Sequence, residues 1–119
     1  MELCEAALAR RLDQSAADWD PRAALGVVLA AEGYPDSPRL GDPIAGLADA
    51  AALPGKVFHA GTRRDGDRVL TAGGRVLCAV GLGPGVAEAQ RAAYALVARL
   101  RWRGMQFRRD IGWRAIARR

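Results

Sequence analysis

The sequence predicts an α+β fold in which a small antiparallel sheet is flanked by helices. Three short segments of strand type lie between residues 56 and 82, and their connections are too short for the crossover that parallel strands need. A segment with helical periodicity follows them directly. With 119 residues, half of them hydrophobic, the chain has the size and composition of one globular domain.

The N-terminal part predicts a helix, a turn and a strand. Glu2–Leu12 has the apolar spacing of a short amphipathic helix, so residues 1–17 are predicted to form a leading helix before one compact α+β domain at 18–119. Asp18–Arg22 contains the aspartate and proline that favour a turn. Ala23–Ala31 has two central valines and predicts a buried strand, although periodicity alone leaves an alanine-rich helix open.

The middle of the chain predicts a loop, a helical turn and the sheet. Gly33–Pro43 contains three prolines and two glycines, which indicates a loop of fixed local shape. A short helical turn is predicted at Ile44–Ala52, and Asp65-Gly66 is predicted to be a hairpin turn. The predicted strands, taken to pair antiparallel in succession, are Lys56–Thr62, Arg68–Thr71 and Arg75–Leu82.

The strongest helical pattern lies at Val86–Leu100, where apolar residues recur at helical spacing. Pro84 suits the first turn of this helix, because a missing amide donor costs little there, and Gly104 is a suitable stop. The following residues, 105–113, are expected to add a short strand or to fold back on the sheet.

The formal net charge of +5 comes almost entirely from arginine. Such a basic end can attract nucleic acid, an anionic substrate or an acidic protein surface, and net charge alone does not choose among them. Exposed aromatic residues among the arginines would favour nucleic acid, and Trp102, Phe107 and Trp113 keep that alternative open. From residue 99 onward only Asp110 opposes the positive charges of Arg99, Arg101, Arg103, Arg108, Arg109, Arg114, Arg118 and Arg119.

The cysteines and the apolar runs indicate neither a metal site nor a membrane protein. Cys4 and Cys78 are far apart in sequence and are expected to be reduced thiols in the core. The first residues lack the pattern of a secretory signal, and the apolar run Ala23–Ala31 is too short to span a bilayer. A cytoplasmic location without membrane contact is the resulting expectation.

Several catalytic and cofactor motifs fail on their details. Gly81–Gly85 lies where a dinucleotide-binding turn would lie, but Val86 replaces the third glycine and Pro84 removes an amide donor. Only Ser15 and Ser37 are available as serine nucleophiles, and both fall in predicted turns or loops, which disfavours a catalytic triad. The paired aspartates near residues 18–20 and 65–67 suit turns better than a metal site.

The segments around His59 and Arg75 carry the best candidate for ligand chemistry. His59 suits a general base or a metal ligand, whereas a lone histidine inside an apolar strand is more often a hydrogen-bonded core residue. Gly73 and Gly74 allow the backbone to approach a ligand closely, and the guanidinium of Arg75 offers a planar set of donors for a phosphate or carboxylate. Anion binding on a β scaffold is therefore the predicted activity, without a complete catalytic apparatus.

Several motifs, read in order, resemble one known family over most of the chain, from about Leu12 to Ala115. These motifs are Trp19-Asp-Pro-Arg-Ala-Ala, Val27-Val-Leu-Ala, Gly33-Tyr-Pro, Lys56-Val-Phe-His-Ala-Gly-Thr, Gly73-Gly-Arg-Val-Leu and Arg108-Arg-Asp-Ile-Gly-Trp-Arg-Ala. Together they resemble the C-terminal domain of phosphoribosylamine–glycine ligase, also called glycinamide ribonucleotide synthetase, an ATP-grasp ligase of purine biosynthesis.

The resemblance implies an enzyme that phosphorylates glycine with ATP and lets the amine of phosphoribosylamine attack the acyl phosphate. In this family the C-terminal domain is a small antiparallel sheet with helices that closes over the active site and is not catalytic alone. ATP and magnesium are expected in a separate ATP-grasp domain, so no cofactor is expected in this chain. The expected partners are the remaining domains of the ligase and phosphoribosylamine or glycinamide ribonucleotide.

The resemblance also implies substrate-facing residues, with no catalytic residue and no metal ligand among them. Arg75 is the first choice for the ribose phosphate. Asp36 and Pro38 depart from the family pattern, in which glycine and then an aromatic residue often follow Gly-Tyr-Pro. The alternative function is a stand-alone basic binding module. Its partner would be nucleic acid, which is the disfavoured choice, or an acidic protein surface. The full substrate-binding set is His59, Gly61, Thr62, Gly73, Gly74 and Arg75.

Overall fold

The computed structural model describes residues 1–118, so Arg119, the last arginine of the basic run, lies outside the described residues. The predicted α+β class is confirmed. In chain order the elements are α1 (Glu2–Leu8), β1 (Ala23–Ala30), α2 (Leu47–Ala51), β2 (Lys56–His59), β3 (Thr62–Asp65), β4 (Arg68–Thr71), β5 (Arg75–Gly83), α3 (Val86–Val97) and α4 (Trp113–Ala117), with a 3-10 turn at Leu12–Gln14.

The main sheet has three antiparallel strands in the order β1-β5-β2, with β5 in the middle. Val27 of β1 pairs with Ala79 of β5, and both are fully buried. Alternate residues of a strand share one face, so this face carries the core, and α3 packs on it through Ala89, Ala93 and Leu96. The prediction of a strand at Ala23–Ala31 is confirmed, and the helical alternative is wrong.

The opposite face of the main sheet has no helix over it in the part of the chain that the structure describes. Val28 of β1, Cys78 of β5 and Phe58 of β2 pair in one row across this face. Val28 and Phe58 are about half exposed, and Cys78 is half-buried. Contiguous exposed apolar residues can mark a ligand-binding or interaction surface. This open face leads to the candidate site.

The predicted continuous strand at Lys56–Thr62 is wrong, because the chain changes partner at Gly61. The amide of Gly61 still donates to the carbonyl of Arg75 on β5, at 2.9 Å, but its own carbonyl accepts from Ala72, at 2.8 Å. A Cβ at Gly61 would lie 2.7 Å from the Arg75 carbonyl oxygen and from the Gly73 Cα. Glycine permits this crossing, so β2 ends at His59 and a new strand begins.

The predicted succession of neighbouring strands is therefore also wrong. β3 and β4 form a separate two-stranded hairpin, while β5 pairs with β1 and β2. The hairpin turn predicted at Asp65-Gly66 is confirmed in place, because Asp65 pairs with Arg68 across it. The short connections favoured pairing between strands that are neighbours in sequence. The central strand β5 instead pairs on one side with β1, which is distant in sequence.

Thr71 attaches the hairpin to the loop that precedes α2. Its buried Oγ1 accepts a hydrogen bond from the amide of Asp42 at 3.0 Å, and its own amide donates to the Asp42 carbonyl at 2.9 Å. The Asp42 carboxylate is nearly buried and accepts from Nε of Arg39 at 3.1 Å. The loop predicted at Gly33–Pro43 is thus fixed to the sheet.

The Thr71→Val variant is expected to lower the free energy of unfolding by about 1–3 kcal/mol, since it leaves the buried Asp42 amide without an acceptor. Urea denaturation followed by circular dichroism measures this loss. Thr62, which pairs with Thr71 across the hairpin, is the matched control because its hydroxyl contacts only an exposed side chain. Thr62→Val is expected to cost less than about 0.5 kcal/mol; equal losses would contradict the explanation.

The C-terminal part returns to the sheet after α3. Ala30 and Gln106 exchange backbone hydrogen bonds of 2.8 and 2.9 Å, so the tail predicted to fold back does lie against the end of β1. The prediction that both cysteines lie in the core is wrong, because Cys4 is exposed on α1. Among residues 1–118, no helix has the length and apolar character needed to cross a membrane. The cytoplasmic location and the division at 17/18 stay predictions.

Candidate anion-binding site

Two adjoining clefts at the end of the open sheet face share one wall. Val28, Tyr34 and Arg75 line both of them. The first cleft has a volume of about 580 Å³ and the second of about 450 Å³. Small-molecule sites commonly have volumes of roughly 300–1,000 Å³. Arg75 therefore stands at the junction of two spaces that are large enough for a sugar phosphate.

Tyr34 and the glycine pair shape the first cleft. A Cβ at Gly74 would lie 2.5 Å from Cδ2 of Tyr34, so the aromatic ring packs directly on the bare glycine backbone. The Gly74 carbonyl accepts a hydrogen bond from the amide of Ala31 at 2.9 Å. Ala60 and Cys78 complete this cleft on the side of the sheet. The close approach of Tyr34 therefore favours glycine at position 74.

The backbone of Arg75 is held from two sides. Its carbonyl accepts from the Gly61 amide at 2.9 Å, and the preceding residue, Gly74, is bonded to Ala31. Gly61 lies between β2 and β3, and Ala31 directly follows β1, so both contacts come from residues at the ends of paired strands. The root of the Arg75 side chain is thus rigid, while the guanidinium reaches into solvent-accessible space. Such pre-organisation reduces the entropic cost of gripping an anion.

The second cleft is lined on its far side by the returning C-terminal segment. Gln106, Phe107 and Arg108 face the shared wall across it. The segment is fixed to α3 by Tyr94, whose hydroxyl donates to the Arg108 carbonyl at 2.7 Å and accepts from the Ile111 amide at 3.1 Å. Two arginines from distant parts of the sequence are thereby brought to one cleft.

The two arginines differ in their charge environment. Arg108 forms a two-pronged contact with the Asp110 carboxylate, at 2.9 and 2.6 Å, which offsets its charge and lowers the pKa of Asp110 through hydrogen bonding. The same hydrogen bonds raise the pKa of Arg108. Arg75 forms no ion pair with a carboxylate of residues 1–118. Of the two arginines that line the second cleft, Arg75 is therefore the better placed to bind an external anion.

His59 and Thr62 form a separate polar pair. Nδ1 of His59 and Oγ1 of Thr62 are 3.0 Å apart, and the imidazole is exposed. The interpretation of His59 as a core histidine is therefore wrong. Neither residue lines the two clefts, although Ala60, next to His59, does. Of the remaining predicted residues, Gly61 and Gly73 lie with their backbones in close contact with each other. Gly74 and Arg75 line the first cleft.

Cys78 lies in the first cleft without the features of a reactive thiol. Burial raises the pKa of its side chain, so the thiol stays protonated near neutral pH. No group of three or more His, Cys, Asp or Glu side chains among residues 1–118 is arranged to hold a metal ion. The arrangement is suited to binding and positioning an anion, with an aromatic ring beside it.

Sequence reasoning did not assign Tyr34 and Arg108 to the site. Both residues stand in motifs that were singled out, Gly33-Tyr-Pro and Arg108-Arg-Asp-Ile-Gly-Trp. The signal was therefore present, but the loop and the C-terminal segment are 30 or more residues away from Arg75 in sequence. Only the fold brings these three segments together.

A family model described as "Phosphoribosylglycinamide synthetase, C domain" matches residues 24–114 of the chain. The chain is 58% identical over 116 residues to the phosphoribosylamine–glycine ligase of Pseudomonas aeruginosa, a match that covers 98% of this chain and 27% of that protein. It is 58% identical over 119 residues to the ligase of the same name from Salmonella typhimurium, which covers 99% of this chain and 28% of that protein.

One solved structure of a ligase with the same name is also similar to this chain. The crystal structure of phosphoribosylamine–glycine ligase from Thermotoga maritima matches with a TM-score of 0.64 and 42% sequence identity, over 74% of this chain and 21% of that one. The chain thus spans little more than a quarter of the length of the curated relatives it matches. From the match over residues 24–114, the chain belongs to the family of phosphoribosylglycinamide synthetase C domains.

Proposed function

We propose that this chain acts as the C-terminal part of a phosphoribosylamine–glycine ligase of purine biosynthesis. In that role it binds the phosphate of phosphoribosylamine and closes the active site, and it is not catalytic alone. The observation that carries this proposal is the position of Arg75 on the wall shared by two clefts, without a carboxylate partner among the described residues.

The geometry supports a positioning role. A phosphate held by Arg75 would place the sugar along the wall formed by Tyr34 and Gly74, with Arg108 on the opposite side. Charge-assisted hydrogen bonds from a guanidinium to phosphate oxygens are short and directional, so they fix orientation as well as affinity. Holding the substrate by its phosphate directs the amine towards the acyl phosphate formed on the preceding part of the ligase, which is the entropic contribution expected of such a part.

ATP and magnesium belong to the portion of the ligase outside this chain. When bound elsewhere in the ligase, ATP supplies the phosphoryl group that activates glycine. His59 and Thr62 lie beside the clefts without lining them, and they stay proposed substrate contacts.

Reconstitution tests this proposal. The chain is mixed with the preceding portion of the Pseudomonas aeruginosa ligase, and glycine-dependent ATP consumption is followed with phosphoribosylamine present. Activity is expected only when both pieces are present, because each lacks groups that the other supplies. Absence of activity, with both pieces folded and bound to each other, would contradict the proposed function.

The alternative of a nucleic-acid module loses one of its three candidate stacking residues, because Trp102 is buried. Trp113 is 53% exposed, and Arg114 lies over its ring with the guanidinium carbon 5.4 Å from the ring centre. Titration with single- and double-stranded oligonucleotides at two salt concentrations decides between the readings, because phosphate-driven binding weakens steeply as salt rises.

A further inference from the structure

The returning C-terminal segment forms a strap, residues 106–111, between the end of β1 and α3. Its first residue exchanges backbone hydrogen bonds with Ala30. At its other end, the Ile111 amide donates to the hydroxyl of Tyr94 at 3.1 Å, and the Ile111 carbonyl accepts from Gln90 at 2.7 Å. Because α3 packs on the core face while the second cleft opens on the other face, the strap connects the two sides of the main sheet.

Tyr94 also holds the strap at Arg108 itself. The Tyr94 hydroxyl donates to the Arg108 carbonyl at 2.7 Å, which is the only hydrogen bond of the Arg108 backbone within residues 1–118. The rings of Tyr94 and Phe107 lie beside each other, with their centroids 6.5 Å apart. One hydroxyl is thus a donor to residue 108 and an acceptor from residue 111, so its removal would leave both backbone groups without this partner.

The ion pair of Arg108 does not by itself place the guanidinium in the cleft. Its partner, Asp110, is two residues away in the same strap, so the pair moves with the strap as one unit. The position of this pair relative to Arg75 depends on contacts between the strap and the rest of the domain. Ala30 supplies such contacts before Arg108, and Tyr94 supplies one at Arg108 and one after it.

We infer that Tyr94 is a positioning residue for substrate binding, because its hydroxyl sets Arg108 opposite Arg75 so that both guanidinium groups reach one anionic substrate. This inference rests on the proposed function, since that function supplies the phosphate. Tyr94 lines neither cleft, so its effect on affinity must pass through Arg108. A residue that only stabilised the fold would keep its effect when Arg108 is absent.

A double-mutant cycle tests this inference. The probe is ribose 5-phosphate, which carries the phosphate and the sugar of the proposed substrate without its amine, and its binding to the full chain is measured by NMR titration. Arg108→Ala is expected to weaken binding by about 10-fold, because a charged donor is lost. Tyr94→Phe removes the hydroxyl and keeps the ring beside Phe107, and it is expected to weaken binding by about 5-fold.

The double variant Tyr94→Phe and Arg108→Ala gives the decisive comparison. Its affinity is expected to lie within about 2-fold of that of Arg108→Ala alone, because the hydroxyl then has no guanidinium to position. Unchanged affinity of the Tyr94→Phe variant would overturn the inference. Losses that multiply in the double variant would also overturn it, because they would show that Tyr94 acts independently of Arg108.

A control in the same helix separates positioning from loss of stability. Leu96 is fully buried next to Gly55, and Leu96→Val removes core volume while the Tyr94 hydroxyl stays in place. Urea denaturation is expected to show lowered stability for this variant, whereas its affinity for ribose 5-phosphate is expected to stay within about 2-fold. A loss of affinity equal to that of Tyr94→Phe would point to general damage to α3 and overturn the inference.

The reconstituted ligase distinguishes failure of this inference from failure of the proposed function. Tyr94→Phe is expected to raise the KM for phosphoribosylamine by about 5-fold and to leave kcat within about 2-fold. A non-additive cycle without restored ATP consumption would support the role of Tyr94 and contradict the proposed function. Restored ATP consumption with an additive cycle would contradict the role of Tyr94 alone. No detectable binding of ribose 5-phosphate to the original chain would overturn both.

Discussion

Replacement of Arg75 by alanine is expected to raise the KM for phosphoribosylamine by about 30-fold or more, which corresponds to roughly 2 kcal/mol of lost interaction with a charged group. The measurement is the steady-state rate of the reconstituted ligase at varied phosphoribosylamine. The KM for ATP is expected to change by less than about 3-fold, because the proposed ATP site lies on another part of the ligase. The effect is specific because Arg75 lines both clefts and has no carboxylate partner among residues 1–118.

Two variants serve as controls for the Arg75 result. Arg75→Lys keeps the charge but loses the planar set of donors, so it is expected to recover only part of the affinity. Arg91→Ala removes an exposed arginine that pairs with Glu88 on α3, on the other side of the sheet, and is expected to leave both KM values unchanged. Equal increases in both KM values for Arg75→Ala would indicate damage to the fold instead of loss of a phosphate contact.

The Gly81→Ala variant is expected to lower the free energy of unfolding by about 3 kcal/mol or more, which is a large part of the stability of a small domain. A Cβ at Gly81 would overlap the carbonyl oxygen of Ala89 and the amide nitrogen of Ala93. Both atoms belong to the backbone of α3, so no side chain can rotate away. The helix must move off the sheet, and this movement opens the core around Leu96.

Gly26 provides the matched control for Gly81. It also lies in the main sheet, but on the open face, where an added Cβ would meet the Cys78 Sγ at 3.1 Å and no backbone atom within 4 Å. Gly26→Ala is expected to cost less than about 1 kcal/mol. Urea denaturation followed by far-ultraviolet circular dichroism gives both values. Similar losses at the two positions would mean that α3 is not packed closely on β5.

The sequence predicted the elements whose signals are local. The strand at Arg68–Thr71 and the start of the strand at Arg75 agree with the structure to the residue. The helix predicted at Val86–Leu100 begins where expected and ends at Val97, one turn early, where backbone bonds from Arg99 and Leu100 tighten the last turn. Alternation, helical periodicity and turn residues are contained in short windows of sequence, which explains this success.

The strand order could not be predicted because it depends on distant contacts. Lys56–Thr62 has an unbroken strand pattern, and nothing local indicates that Gly61 must fit against Gly73 and the Arg75 carbonyl. The placement of β1 beside β5 joins segments about 50 residues apart. Such pairing is decided by which faces bury apolar area in the whole domain, so short connections were a misleading guide.

The candidate site was predicted in part for the same reason. The Gly-Gly-Arg segment has a local signature, and the structure brings Gly74 and Arg75 to a cleft. The strand patterns of the two segments were the only local reason to expect His59 near Arg75. In the structure His59 lies beside the clefts without lining them. Tyr34 and Arg108 reach the site through a loop and a returning tail, whose paths are set by hydrogen bonds to the sheet and to α3.

The central proposal is that Arg75 binds the phosphate that phosphoribosylamine and the product, glycinamide ribonucleotide, have in common. Equilibrium binding of glycinamide ribonucleotide, with and without its phosphate, to the reconstituted ligase with Arg75 or alanine at this position forms a cycle that isolates this contact. Removal of the phosphate is predicted to weaken binding by about 30-fold or more with Arg75 present and by less than about 3-fold in the Arg75→Ala variant. The same loss in both proteins would contradict the account.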